Sequence, residues 1–112
     1  MYMEMIYTKL AGRDFLQMHK KQINKMATAG TVESNDILIM MSKGEGDINI
    51  ELESIVEKQY GQDIKKVIQD TLLAEGITDV NLVAKDKGAL DFTIVARVKT
   101  CIERGRGEAD EL

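Results

Sequence analysis

Ser34, His19, Cys101 and the carboxylates Glu51, Glu53 and Glu57 are the side chains whose chemistry could matter in this chain. A serine or cysteine nucleophile needs a base within reach. The single histidine, His19, lies outside the body of the chain, flanked by Met18, Lys20 and Lys21. It has no neighbour at metal-ligand spacing and reads as a solvated surface residue. Without a histidine in the body, no Ser–His or Cys–His pair can assemble. Cys101 falls on an apolar face and reads as a small buried hydrophobe. Glu51, Glu53 and Glu57 read as a solvated face rather than an acid/base pair. Gly44-Glu45-Gly46 is too short and too acidic to cradle a phosphate. The inventory predicts no catalytic residues and no metal site. What remains is Ser34, inside Gly30-Thr31-Val32-Glu33-Ser34-Asn35-Asp36. Short polar side chains bond nearby backbone and favour turns, so the local reading is a hairpin turn and nothing more. The functional reading is a hydroxyl held in solvent that accepts a modification.

The elements around it come from pattern. Residues 23–31 are mixed and predict an edge strand leading into the turn. Ile37 to Met41 is a continuous apolar run, consistent with a strand at a sheet centre. Ser42 to Asp47 predicts a loop, with Gly44 and Gly46 available for positive φ. Ile48, Ile50 and Leu52 alternate with Asn49, Glu51 and Glu53, which predicts a half-buried strand forming an antiparallel meander with the one before. Ser54-Ile55-Val56-Glu57 has the form of a capping box. Val56, Tyr60, Ile64, Val67, Ile68 and Leu72 then recur at helical spacing, and Gly76 suits the residue just past a helix end. Gly61 inside that run suggests a close packing contact. Val80 to Ala84 predicts a strand and Asp86-Lys87-Gly88 a turn. Phe92, Ile94, Ala96 and Val98 alternate within a β-branched run, although Leu90, Ile94, Val98, Cys101 and Ile102 also share a helical face. The expectation is a strand to Val98, then a short helix through Arg104. The fold class is therefore α+β: an antiparallel or mixed sheet of about four to five strands, one long helix packed on one face, and a short C-terminal helix.

Composition bounds the rest. The chain has 112 residues, with 44% hydrophobic and 30% charged, as in a single soluble globular domain. A formal charge of −4, 4% aromatics and no tryptophan argue against a nucleic-acid surface. No apolar run approaches bilayer length, and Glu4, Lys9, Arg13 and Asp14 interrupt any signal-peptide core. One cysteine fits a reducing compartment, so a cytoplasmic location without membrane contact is expected. Residues 1–20 differ from the rest of the chain, with a charge of +1 and Met1, Met3, Met5 and Met18. They read as an atypical extension, either flexible or marking a start further in. Residues 21–105 form the domain, and 106–112 a flexible acidic tail.

Three ordered blocks carry a resemblance to a known family. They are Ala29-Gly30-Thr31-Val32-Glu33-Ser34 with Asp36 beyond, then Ser54-Ile55-Val56-Glu57-Lys58-Gln59-Tyr60-Gly61, then Asp86-Lys87-Gly88-Ala89-Leu90-Asp91 followed by Ala96-Arg97-Val98. Over roughly Ile23 to Arg104 the chain resembles the acyl carrier (gamma) subunit of citrate lyase. The resemblance implies that Ser34 is the covalent attachment point of a phosphoribosyl dephospho-coenzyme A arm, joined through a phosphodiester and ending in a thiol. It implies a non-catalytic carrier of acetyl and citryl thioesters during citrate cleavage to acetate and oxaloacetate. The implied partners are the alpha (acyl transferase) and beta (citryl lyase) subunits and the transferase that makes the holo-carrier. The acyl carrier subunit of malonate decarboxylase uses the same kind of arm and is the nearest alternative. A small non-enzymatic α+β binding or regulatory module is a second. Helical-bundle carriers place their serine in an Asp-Ser-Leu triplet opening a helix, whereas Ser34 lies between Glu33 and Asn35, so a sheet is the expected base.

Overall fold

The structure, a computed structural model, describes residues 21–55 and 58–106. In chain order the elements are β1 (Ala27–Gly30), β2 (Ile37–Lys43), β3 (Ile48–Ser54), α1 (Lys58–Ala74), β4 (Val80–Asp86) and α2 (Asp91–Gly105). The strands form one sheet in the order β1-β2-β4-β3. β1 pairs antiparallel with β2, β2 antiparallel with β4, and β3 parallel with β4. The architecture is thus α+β with a mixed sheet of four strands.

Strand alternation sends one set of side chains beneath the helices. Ile37, Ile39 and Met41 of β2 and Val80, Leu82 and Ala84 of β4 are buried. They meet Ile64, Ile68 and Leu72 of α1 and Ile94, Val98 and Ile102 of α2 in one core. At about 25 cal/mol per Å² of apolar surface removed from water, this layer dominates the folding free energy. The opposite sheet face, with Leu38, Met40 and Val83 at its centre and Glu51 and Glu53 on its edge strand, carries no helix among the described residues.

Two expectations change. β2 and β3 do not form a meander, because β4 lies between them. The alternation in β3 identifies a half-buried strand but says nothing about its neighbour, and α1 carries the chain across so that β4 enters parallel to β3. The segment from Phe92 to Val98 is helical, not a strand. Its alternation and its helical face both include Ile94 and Val98, and burial decides between them. Ile94, Val98, Cys101 and Ile102 are buried, whereas Phe92, which a strand would put on the same side as Ile94, is exposed.

The long helix ends as its sequence implies. Gly76 has φ 81°, its amide donates to the Leu73 carbonyl, and the Ile77 amide donates to the Leu72 carbonyl. That pair of bonds, with Ile77 and Leu72 both buried, is a Schellman termination. Ser54 closes β3 and its hydroxyl donates to Asp86 at 2.9 Å. The rest of the expected capping box, Val56 and Glu57, lies outside the described residues, as do His19, the expected extension 1–20 and all of the expected tail after Arg106. A Cβ added at Gly61 would meet Leu52 at an ordinary 3.7 Å, so no tight approach explains the glycine.

Both helices run back along the sheet from the end where β3 and β4 finish. That end also carries the β1–β2 turn, since Ile37 pairs with Asp86.

Candidate functional site

The β1–β2 connection spans residues 31–36 and leaves Ser34 exposed. Its shape comes from both flanks. Gly30 has φ 94°, and a Cβ there would run into the Ile37 carbonyl and press on Cδ of Arg97. Only glycine serves at such a position. Asn35 has φ 67°, a left-handed conformation that asparagine tolerates better than most residues. The Asn35 amide donates to the Lys87 carbonyl and the Lys87 amide to the Asp36 carbonyl, both at 2.8 Å. The turn is therefore stitched to the loop after β4.

Asp36 is the hub. Its Oδ1 accepts from the Ile37 amide at 2.7 Å and from Arg97 Nε at 3.0 Å. Its Oδ2 accepts from the Thr31 hydroxyl at 2.7 Å and from Arg97 Nη2 at 2.8 Å. Two parallel bonds between a guanidinium and a carboxylate fix orientation as well as distance. Thr31 Oγ1 also accepts from the Glu33 amide at 3.2 Å. The Arg97 hydrogen bonds, opposed by burial, hold the Asp36 carboxyl down at about 2. It is ionised throughout the neutral range. A second buried carboxylate, Asp86, organises the adjoining loop by accepting from Ser54 and from the Gly88 and Ala89 amides.

Ser34 stands out by contrast. Its hydroxyl makes no hydrogen bond among the described residues, while the residues on either side are tied down. The arrangement offers an exposed primary hydroxyl on a fixed base.

The other described candidates do not join this site. Cys101 is buried, and burial pushes its thiol up to about 11, so it is no nucleophile at neutral pH. Glu51 and Glu53 are exposed on β3. Among the described residues no cluster of three potential metal ligands occurs. A cleft of about 490 Å³ opens between α1 and the β4–α2 loop. It is lined by Asp63, Asp70, Asp86 and Asp91 against Lys66, an acidic lining unsuited to a phosphate. Arg97 and Asp86 are legible in sequence only as members of the family-like blocks. Nothing local marks Arg97 as the partner of a residue 61 positions earlier.

Residues 24–105 match the family described as ACP, malonate decarboxylase delta subunit (MdcD). Among curated proteins, the citrate lyase acyl carrier protein of Halothermothrix orenii is 44% identical over 81% of this chain and 97% of its own length. That of Lactobacillus acidophilus is 49% identical over 80% and 93%. A chain in the crystal structure of a Pseudomonas malonate decarboxylase hetero-tetramer in complex with malonate shares the fold, with a TM-score of 0.61 over 76% of this chain and 88% of that one, at 14% identity. No described helix is long and apolar enough to cross a membrane. With identity of that level over four fifths of its length, the chain belongs to the citrate lyase acyl carrier protein family.

Proposed function

We propose that this protein is the carrier subunit of a citrate lyase, with Ser34 as the covalent attachment residue of a phosphoribosyl dephospho-coenzyme A arm. The observation that carries the reading is the exposed, unbonded Ser34 hydroxyl on a turn braced by Asp36 and Arg97. The residues fit such a group. A phosphodiester needs one free hydroxyl and room in solvent; Asp36 is paired with Arg97, and the neighbouring Glu33 is exposed, where water screens its charge. When attached, the arm supplies a terminal thiol that holds acyl groups as thioesters. Asp36, Thr31 and Arg97 keep the base of the arm in one orientation, so the volume swept by its tip is set by the arm alone. That confinement raises the effective concentration of the acyl group at any docked active site. The body, residues 21–105, takes no part in bond making. Catalysis lies with alpha and beta subunits, attachment with a dedicated transferase, and the whole system works in the cytoplasm.

The test is an intact mass of the protein co-expressed with a complete citrate lyase system. A prosthetic-group adduct on Ser34, absent from Ser34→Ala, supports the reading; an active complex with unmodified Ser34 removes it. The family description over residues 24–105 favours a second reading, a malonate decarboxylase carrier. The acyl group recovered from the adduct, acetyl in either case at rest but citryl or malonyl under substrate, separates the two.

A further inference from the structure

The large apolar side chains that the fold leaves in solvent are not spread evenly. Val32, Ile55, Leu90 and Phe92 are 51%, 66%, 62% and 72% exposed. All four belong to the Ser34 end. Val32 is in the turn itself, and Ile55 follows Ser54, which is bonded to Asp86. Leu90 and Phe92 open α2, just past the loop to which Asn35 and Asp36 are stitched. Chain reach from these bonds keeps each within about 25 Å of Ser34. A standard interface of about 800 Å² per partner is roughly 30 Å across, so one footprint that runs from Ser34 over the β4–α2 loop spans that distance.

We propose that this end is the docking face for the alpha subunit that works on the arm carried by Ser34, and that this partner presents an apolar hollow with a basic rim. The inference rests on the reading of Ser34 as the attachment residue and adds the surface and chemistry of the partner. The exposed charged residues of this end, Glu33, Glu53 and Asp91, are all acidic and make no ion pair among the described residues; the lysines beside them, Lys87 and Lys85 across from Glu53, are half-buried. Acidic side chains of this kind select a basic partner and repel an anionic lipid or nucleic-acid surface. A two-fold contact with a second copy would set the same carboxylates against one another and cover Ser34. A protein of opposite charge satisfies both the apolar and the acidic groups. Aromatic and aliphatic anchors at the centre of such a footprint carry most of the affinity.

The test uses the full chain carrying Ser34→Ala, immobilised, with the purified alpha subunit of citrate lyase as the probe. Leu90→Ser with Phe92→Ser should weaken binding tenfold or more. Met26→Ser and Leu73→Ser, also exposed but distant from this end, should leave it within twofold. Raising salt should weaken the parent and the apolar variant in parallel. Equal affinities for all variants, or no binding by the parent chain, overturns the proposal. A sedimenting dimer that Leu90→Ser with Phe92→Ser dissociates also overturns it, by assigning the face to a second copy. The two readings fail separately. An adduct on Ser34 with unaffected variants removes only the docking face, whereas variant-sensitive binding without any adduct removes only the attachment.

Discussion

The two loops that flank β2 begin from the same local device and end very differently. Each finishes on an aspartate whose side chain accepts from the amide of the first strand residue. Asp36 accepts from Ile37 at 2.7 Å, and Asp47 accepts from Ile48 at 2.8 Å. Each also contains a glycine at positive φ, Gly30 at its entry in one and Gly46 in the other. The β2–β3 loop adds two bonds to the start of β4, from the Gly46 amide to Asp79 and from the Val80 amide to the Asp47 carbonyl, and no ion pair among the described residues. In the β1–β2 loop the aspartate also takes Thr31 and both arms of Arg97 from a helix far along the chain. A turn does not need that much bracing to be a turn. The excess sits under the exposed serine, where it fixes the base of whatever Ser34 carries.

Substitutions at matched positions sharpen the contrast. Gly30→Ala adds a Cβ against the Ile37 carbonyl and Arg97, and should destabilise the fold by about 3 kcal/mol in chemical denaturation. Gly46→Ala meets nothing within 4 Å and should cost only the conformational strain, about 1 kcal/mol. Equal losses would mean that the two loops are equivalent after all. Asp36→Ala removes bonds to a charged partner and should cost about 2 kcal/mol, against about 0.5 kcal/mol for the exposed Asp47→Ala. Arg97→Gln should act in the same direction as Asp36→Ala, by less.

The acid limb offers a smaller but more selective test. The Asp36 carboxyl is lower in the folded state, about 2, than its ordinary value of 3.8. A depressed carboxylate stabilises the fold above its unfolded value, and that stabilisation is lost as pH falls from about 4 towards 2. Unfolding free energies measured across this window should fall more steeply for the parent than for Asp36→Asn. Ser34→Ala is the smallest change for stability, within about 0.5 kcal/mol, because its hydroxyl bonds nothing described. It should nonetheless abolish any adduct, which separates the role of the serine from the role of its base.

Much of this is readable from residue order, and the limits have physical causes. The polar run from Thr31 to Asp36 announces a turn because those side chains compete locally for backbone groups, and the turn is where the pattern places it. The core of α1 comes from Ile64, Ile68 and Leu72, and its end from Gly76, since helical periodicity and left-handed glycine are both local signals. Strand partners are not local. Nothing in Ile48 to Ser54 says that its neighbour lies beyond a helix, which is why a meander is the simpler expectation. Phe92 to Val98 shows the same limit, since β-branched residues satisfy both periods until tertiary burial chooses one. The Asp36–Arg97 pair is the extreme case. Each residue alone is an ordinary surface charge, and only the packing of α2 against β1 and β2 brings them together.

The ends of the described body have a practical meaning for such a molecule. The Lys21 amide bonds the Gly76 carbonyl, and Asn24 bonds the carbonyls of Gly105 and Arg106, so chain entry and exit meet at the end away from Ser34. The molecule has in effect a handle and a head. A surface tether, a fused domain or a spectroscopic label attached at the handle would leave the head free to turn towards its targets. A circular permutation that joins the two ends there would relocate the termini without disturbing the serine.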